Sequence, residues 1–336
     1  MSLKVFFTDF WPGFEKQNHL LDFLSKRFDV TLDRNPDYLF YSLYGNEHFN
    51  YRDCIKILFS GENIVPDFNI SDYAIGCHYI DFNDRYLRFP EYILYEWYYS
   101  NYLGIDCTRN KVYQTNDAQL MDRKFCNFIY SNSTNSDPLR DLFFKRLSQY
   151  KQVDSGGMHL NNIGYKVVDK LSFINQYKFT IAFENSAVPG YTTEKLLDPI
   201  IMESLPIYYG DPLVHYDFNI DSFVRVSGYD DIERAVDEII FLDTNPDAYI
   251  EMLRRAKFTH ENTLEKWEKR LNDFLCNIFN QTLSDSHRCS MYGFSKLYCT
   301  AMQHKSYQAE NTSDEKRLLG SIRIFLNRLL MSGKRT

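Results

Sequence analysis

Three short stretches place acids and bases where an apolar run gives way to a loop or a helix. In FENSAVPGYTTEK (183–195), Glu184 and Asn185 end the apolar run YKFTIA, and Tyr191, Thr192, Thr193, Glu194 and Lys195 lead into the helical run LLDPIIMESL. Free N–H groups at a helix start attract anions, so a lysine there is electrostatically awkward unless an anion lies nearby. Glu194 would reach hydroxyl groups such as those of a ribose. Turn and cap chemistry accounts for the same residues without a ligand. In SGENIVPDFN (60–69), Gly61 lets the chain turn after CIKILF, and Glu62 projects beyond it as a general base or as a solvated loop glutamate. In DPLRDLFF (137–144), Asp137 reads as an N-cap and Pro138 as the first helical residue. Arg140 then lies in the first turn, where it faces a phosphate or pairs with Asp137 or Asp141.

These residues need a scaffold that ends several apolar runs at one edge. The chain opens with LKVFFT (3–8), a helix KQNHLLDFLSKRF (16–28) with Leu20, Leu21, Phe23, Leu24 and Phe28 at helical spacing, and DVTL (29–32). YLFYSLY (38–44), CIKILF (54–59) and YAIG (73–76) follow, then an aromatic, irregular stretch from about 82 to 124. A second set runs through FCNFIY (125–130), helix 137–150, a polar glycine loop 153–164, KFTIAF (178–183), the helix from Thr193, PIYY (206–209) and FVRV (223–226). The alternation predicts two α/β units with parallel, helix-covered sheets. We expect domains at 1–150 and 151–300 and a tail at 301–336. In such sheets ligands sit beyond the carboxyl ends of the strands, where all three charged stretches fall.

Composition narrows the classes. The chain has 336 residues, 44% hydrophobic and 25% charged, which excludes a disordered or fibrous protein. Aromatics make up 17% and suit sugar stacking and ordinary cores alike. A net charge of -7 argues against a nucleic-acid binder. Seven scattered cysteines without a Cys-x-x-Cys pair read as reduced thiols. The N-terminus shows no signal peptide or membrane span, so the expectation is a cytoplasmic protein in which the sequons at Asn132 and Asn280 are chance. From Lys316 to Thr336 there are six basic residues and no acidic one, with Leu318, Leu319, Ile322, Phe325, Leu326, Leu329 and Leu330 on one side of a wheel. That fits a helix lying on anionic lipid at the inner membrane face, or one docking on the protein. Asp-x-Asp, G-x-x-x-x-G-K-[ST] and G-x-G-x-x-G motifs are absent, so a bound diphosphate would rely on Arg140, Lys195 and backbone amides.

The segment YKFTIAFENSAVPGYTTEKLLDPIIMESLPIYYGDP (177–212) resembles the donor-binding signature of the α1,3/4-fucosyltransferases, glycosyltransferase family 10. SGENIVPDFNISDYAIG and DFNDRYLRFP (81–90) resemble bacterial members, and the similarity spans roughly residues 3 to 280. The resemblance implies a GT-B enzyme: two Rossmann-like domains facing a cleft, the first binding acceptor and the second GDP-fucose. It implies Glu62 as general base, Arg140 on the donor phosphates, and Asn185, Tyr191, Glu194 and Lys195 in the donor site. Lys195 would neutralise pyrophosphate, and Glu194 would bind ribose or steady charge on the fucose. No metal is required by such chemistry, although a divalent ion could stimulate it.

This sequence departs from the family at Thr192, where valine is common, in the loop SAVPG, and in DSGG, where relatives can carry three glycines. No heptad repeats precede the basic tail. The expected reaction is inverting transfer of fucose to O3 of GlcNAc or glucose in a β-galactoside of an oligosaccharide or glycolipid, giving a Lewis x type product on acceptors such as lipopolysaccharide or glycoprotein glycans. Alternatives are α1,4 linkage, another nucleotide sugar, or a glycan-binding protein without turnover. Trp11 and the aromatic stretch 82–102 are the candidates for reading the acceptor.

Overall fold

The computed structural model describes residues 2–16, 18–105, 107, 115–131, 134–290 and 292–311, with side chains up to 306. Its first half runs β1 (Leu3–Thr8), α1 (His19–Ser25), β2 (Val30–Leu32), β3 (Tyr38–Tyr41), β4 (Ile55–Phe59), β5 (Tyr73–Gly76), β6 (Tyr86–Arg88) and α2 (Glu91–Tyr102). All six strands are parallel, in the order β2-β1-β3-β4-β5-β6. The second half runs α3 (Asp117–Met121), β7 (Lys124–Phe128), α4 (Leu139–Leu147), β8 (Val153–Ser155), α5 (Lys170–Ile174), β9 (Tyr177–Phe183), α6 (Glu194–Ile201), β10 (Leu205–Tyr209), β11 (Val224–Arg225), α7 (Ile232–Thr244) and α8 (Pro246–Arg254). Its sheet is also parallel, ordered β11-β10-β9-β7-β8. Strands covered on both faces carry continuous apolar runs, and β9 is buried along its whole length.

Each sheet reverses its strand order once: the first between β1 and β3, the second between β7 and β9. At such a reversal the loops leave the sheet on opposite faces and open a crevice at the carboxyl ends. Between the two sheets lies a continuous apolar cluster. Tyr92, Ile93 and Trp97 from α2 join Leu196, Leu197, Ile200 and Ile201 from α6 in it.

Several sequence expectations change. The stretch 82–124 is not irregular throughout, since it contains β6 and α2. Helix α2 buries Tyr92, Ile93, Glu96, Trp97 and Tyr99, so two domains press on it and no single apolar face marks it. The polar loop 153–164 begins as strand β8, whose alternating burial is short enough to miss. A division at 150 would cut the second sheet, because β7 pairs with β8 and β9 and α4 packs into the same core. The sheets change between β6 and β7.

The chain then returns to the first sheet through α9 (Leu264–Phe279), α10 (Leu283–Ser286) and α11 (Gly293–Asn311). Phe279 packs edge-on to Phe28 and Tyr38, Phe274 to Tyr73, and Trp267 to Phe89. The range 151–300 is therefore not one spatial unit. Gln303 of α11 donates to the carbonyl of Phe49, so the range 301–336 starts inside a helix docked on the first domain. The expected amphipathic basic segment 316–336 lies outside the described residues. Among those described, no helix is long and apolar enough to cross a membrane.

The domains are also joined by a buried ion pair. Arg88 at the end of β6 meets Asp217 through Nη2–Oδ2 at 2.5 Å and Nη1–Oδ1 at 3.3 Å. Its guanidinium also lies 4.0 Å from the Tyr79 ring centroid. Removing one partner leaves the other charge buried and uncompensated. Asp217→Asn should therefore lower stability by about 3–5 kcal/mol, read as an earlier urea midpoint; an unchanged midpoint would contradict this role.

Candidate active site

The two crevices face each other, and the candidate residues gather where they meet. On the second domain, Glu184 emerges fully buried from the end of β9. Its carboxylate accepts from the Thr193 N–H at 2.8 Å and from the Thr193 hydroxyl at 2.9 and 3.0 Å, and lies 3.3 Å from Lys195 Nζ. Thr193 is the N-cap of α6 and accepts from the Lys195 N–H. Cap chemistry thus does explain part of this stretch: Glu184 and Thr193 fix the helix start.

The charges around that start are crowded. Lys195 also lies 3.6 Å from Glu194, and Lys170 of α5 reaches Glu194 at 3.5 Å and Asp198 at 2.5 Å. Burial alone would lower the Lys195 ammonium, but Glu194 and Glu184 outweigh it and raise it. Burial pushes the Glu194 carboxyl up, yet Lys195 and then Lys170 hold it down to about 2. For Glu184 burial prevails and its carboxyl is raised. Lys195 therefore remains a cation at the mouth of a helix whose N–H groups point the same way.

Arg140 is fully buried in the first turn of α4. The helix begins one residue later than expected: Pro138 is the N-cap, and Asp137 still accepts from the Leu139 N–H. Asp137 also accepts from the Tyr209 and Tyr229 hydroxyls, while Asp141 lies 2.7 Å from His159 Nε2. The Arg140 guanidinium donates to Ser136 Oγ at 2.6 Å and to Asn185 Oδ1 at 3.3 Å, over the Tyr130 ring at 4.1 Å. Arg140 and Asn185 thus act as one unit, and the Asn185 carbonyl also accepts from the Asp137 N–H. Tyr191 is buried beside Lys195, which holds its phenol down less than burial pushes it up.

The first domain contributes Glu62, exposed on the loop after β4. Its Oε1 accepts from the Tyr44 hydroxyl at 3.1 Å. Tyr44 in turn stands edge-on to Trp11, with centroids 6.2 Å apart. Trp11 borders a cleft of about 400 Å³ with Phe7, Phe10, Phe14, Asp9 and Glu15. Asp9 organises this corner from a left-handed backbone (φ 59°). Its carbonyl accepts from the Tyr44 N–H, and its carboxylate accepts from the N–H groups of Glu47 and His48 and meets the His48 ring at 2.7 Å.

Two contacts close the distance between the halves. Asn63, next to Glu62, donates to Ser186 Oγ at 2.7 Å, next to Asn185. Gly190 (φ +90°) lies so close to the first domain that a Cβ would stand 2.2 Å from the Cys77 carbonyl oxygen. Glu62 and the Asn185, Glu194 and Lys195 side chains therefore come together where the domains meet, with Arg140 and Tyr191 buried behind them. Sequence reasoning missed Tyr44, Lys170 and Glu91, whose side chain lies against Gly61 beside Glu62. Glu91 had a signal, since Pro90-Glu91 opening an apolar stretch is a helix start. Among the described residues no group of three or more His, Cys, Asp or Glu could hold a metal ion.

Residues 5–95 match the α-(1,3)-fucosyltransferase FucT N-terminal domain, and residues 121–297 match the C-terminal domain of glycosyltransferase family 10 (fucosyltransferase). The chain belongs to glycosyltransferase family 10. Within this family, the α-(1,3)-fucosyltransferase FucT of Helicobacter pylori is 33% identical over 287 residues, 75% of this chain and 59% of that protein. The chain thus spans less than two thirds of that relative's length. A crystal structure of an α1,3-fucosyltransferase with GDP-fucose superposes with a TM-score of 0.66 at 30% identity, covering 82% of this chain and 90% of the other. Another α1,3-fucosyltransferase structure gives 0.70 at 30% identity, covering 85% and 92%. The two facing sheets are the GT-B arrangement of these family 10 enzymes.

Gly190 gives a test of how closely the halves must meet. Gly190→Ala forces both a left-handed alanine and a clash with Cys77, so it should lower stability by more than about 1 kcal/mol. Thermal unfolding measures it, and a melting temperature equal to that of the unsubstituted chain would contradict the close approach.

Proposed function

We propose that this family 10 enzyme transfers L-fucose from GDP-fucose, with inversion, to O3 of GlcNAc or glucose in a β-galactoside acceptor. One observation carries the reading: an exposed carboxylate, Glu62, stands across the domain contact from the cation Lys195, with Arg140 buried behind Asn185. Inverting transfer needs a base on one side of the sugar and positive charge on the other.

In this reading Glu62 takes the proton of the acceptor hydroxyl as its oxygen attacks C1 of fucose. The C1–O bond to the β-phosphate breaks, and its electron pair leaves with GDP. Lys195, Arg140 and the N–H groups at the start of α6 stabilise the departing diphosphate. Tyr44 orients the Glu62 carboxylate, and Asn185 fixes the Arg140 guanidinium. Glu194, held ionised by Lys195 and Lys170, is suited to accept from ribose hydroxyls or to face positive charge on the fucosyl ring. Trp11 offers an aromatic surface for the acceptor sugar, two rings away from the base. The basic tail 316–336 is assigned to peripheral contact with an anionic cytoplasmic membrane; removing it should abolish flotation with anionic liposomes and spare transfer to a soluble acceptor. Flotation that survives the truncation would end that assignment.

For the base, Glu62→Gln should lower kcat about 10²–10⁴-fold while GDP-fucose still raises the melting temperature as in the parent. Unchanged turnover would remove Glu62 from this role. An acceptor panel with NMR of the product linkage checks the O3 assignment, which an O4-linked product would overturn.

A further inference from the structure

Helix α2 of the first domain carries Glu91, Tyr95 and Tyr99 at intervals of four, on one face. That face looks at α6 of the second domain. Tyr99 donates to Asp198 Oδ1 at 2.6 Å, and Glu194 is the foremost influence raising the Tyr95 phenol. Glu91, in the first turn, continues the stripe into the cleft. Its place is fixed by Gly61: a Cβ there would stand 2.7 Å from Glu91 Cγ and 2.8 Å from its Cδ. The glycine before the proposed base therefore makes room for a second carboxyl directly behind it.

The groups facing Glu91 come from both domains. Glu62 stands on the loop after β4, Tyr44 on the loop after β3, Glu184 at the end of β9, Tyr191 before α6, and Glu194 and Lys195 on α6. Among the described residues Lys195 pairs with Glu184 and Glu194, and no cation forms an ion pair with Glu91. The α2 dipole favours an anion at this position. Burial outweighs it first, followed by repulsion from Glu194 and Glu62, so the carboxyl is raised well above the usual range. A neutral carboxyl in such a setting is a hydrogen-bond donor.

We propose that Glu91, lying against Gly61 beside the base, is a third carboxyl of the transfer site, hydrogen-bonded to a hydroxyl of the fucosyl ring. The inference rests on the reading of the cleft as a GDP-fucose site. A group beside both the base and the diphosphate-binding lysine meets the sugar that passes between them. Protonated, Glu91 contributes a donor without adding charge. Ionised at higher pH, it loses the donor and sets a further negative charge against Glu62 and the leaving group, so transfer falls as pH rises.

The test is steady-state transfer from GDP-fucose across about pH 6–10, comparing the unsubstituted chain with Glu91→Gln and Glu91→Leu. Glutamine keeps a neutral donor at every pH. Glu91→Gln should lose the alkaline fall and transfer faster than Glu91→Leu near neutrality. Glu91→Leu should lower kcat/KM roughly tenfold or more while GDP still raises its melting temperature. Should Glu91→Leu not fold, the pH profile of Glu91→Gln decides alone. An alkaline limb unchanged in Glu91→Gln overturns the inference and leaves the GDP-fucose reading standing. Absence of transfer by the unsubstituted chain removes both.

Discussion

Lys195 holds its ammonium between two carboxylates at the start of α6, and much of the cleft is arranged to keep it there. A buried cation is costly unless paired and hydrogen-bonded, and here Glu184, Glu194 and the Thr193 hydroxyl do both. Glu184 in turn needs the Thr193 N–H and hydroxyl, which fixes where β9 stops and where α6 begins. From Glu194 the same chain of charges runs through Lys170 to Asp198, and from Asp198 to Tyr99 of the other domain. A ligand anion arriving at Lys195 enters a network that already spans both halves.

That network lies on an apolar bed rather than in open water. Leu196, Leu197, Ile200 and Ile201 of α6 pack with the apolar residues of α2, so the polar stripe is the upper edge of a continuous core. Low surrounding polarity strengthens each interaction within it and penalises any group left over. Glu62 escapes this penalty by standing exposed, while Tyr44 gives it one fixed contact. The two sides of the cleft therefore differ in character: an exposed carboxylate on the first domain and a charge-balanced, largely buried cluster on the second.

Local signals made β9, α6 and the Glu184–Lys195 stretch legible in the sequence. A seven-residue apolar run, a threonine cap and an apolar helix follow each other without a break. Glu62 was legible in the same way, as the residue past the end of a strand. Helix α2 was not, because two domains bury it from opposite sides and its aromatic residues show no period. The pairing of Arg140 with Asn185 joins residues 45 apart, and a one-dimensional reading has no means to see it. The position of Glu91 is harder still. It depends on the missing side chain of Gly61, thirty positions upstream and on another element. The return of α9 to the first sheet is visible only once Phe274 and Phe279 have found Tyr73 and Tyr38.

Because of that return, the polypeptide crosses from one domain to the other twice, once between α2 and α3 and again between α8 and α9. A body held by a single thread can swivel freely, whereas one held by two can turn only about the line joining them. Here the two crossings act together with the Arg88–Asp217 pair, the Tyr99–Asp198 hydrogen bond and the apolar cluster of α2 and α6, so the halves are held by chain, charge and core at once.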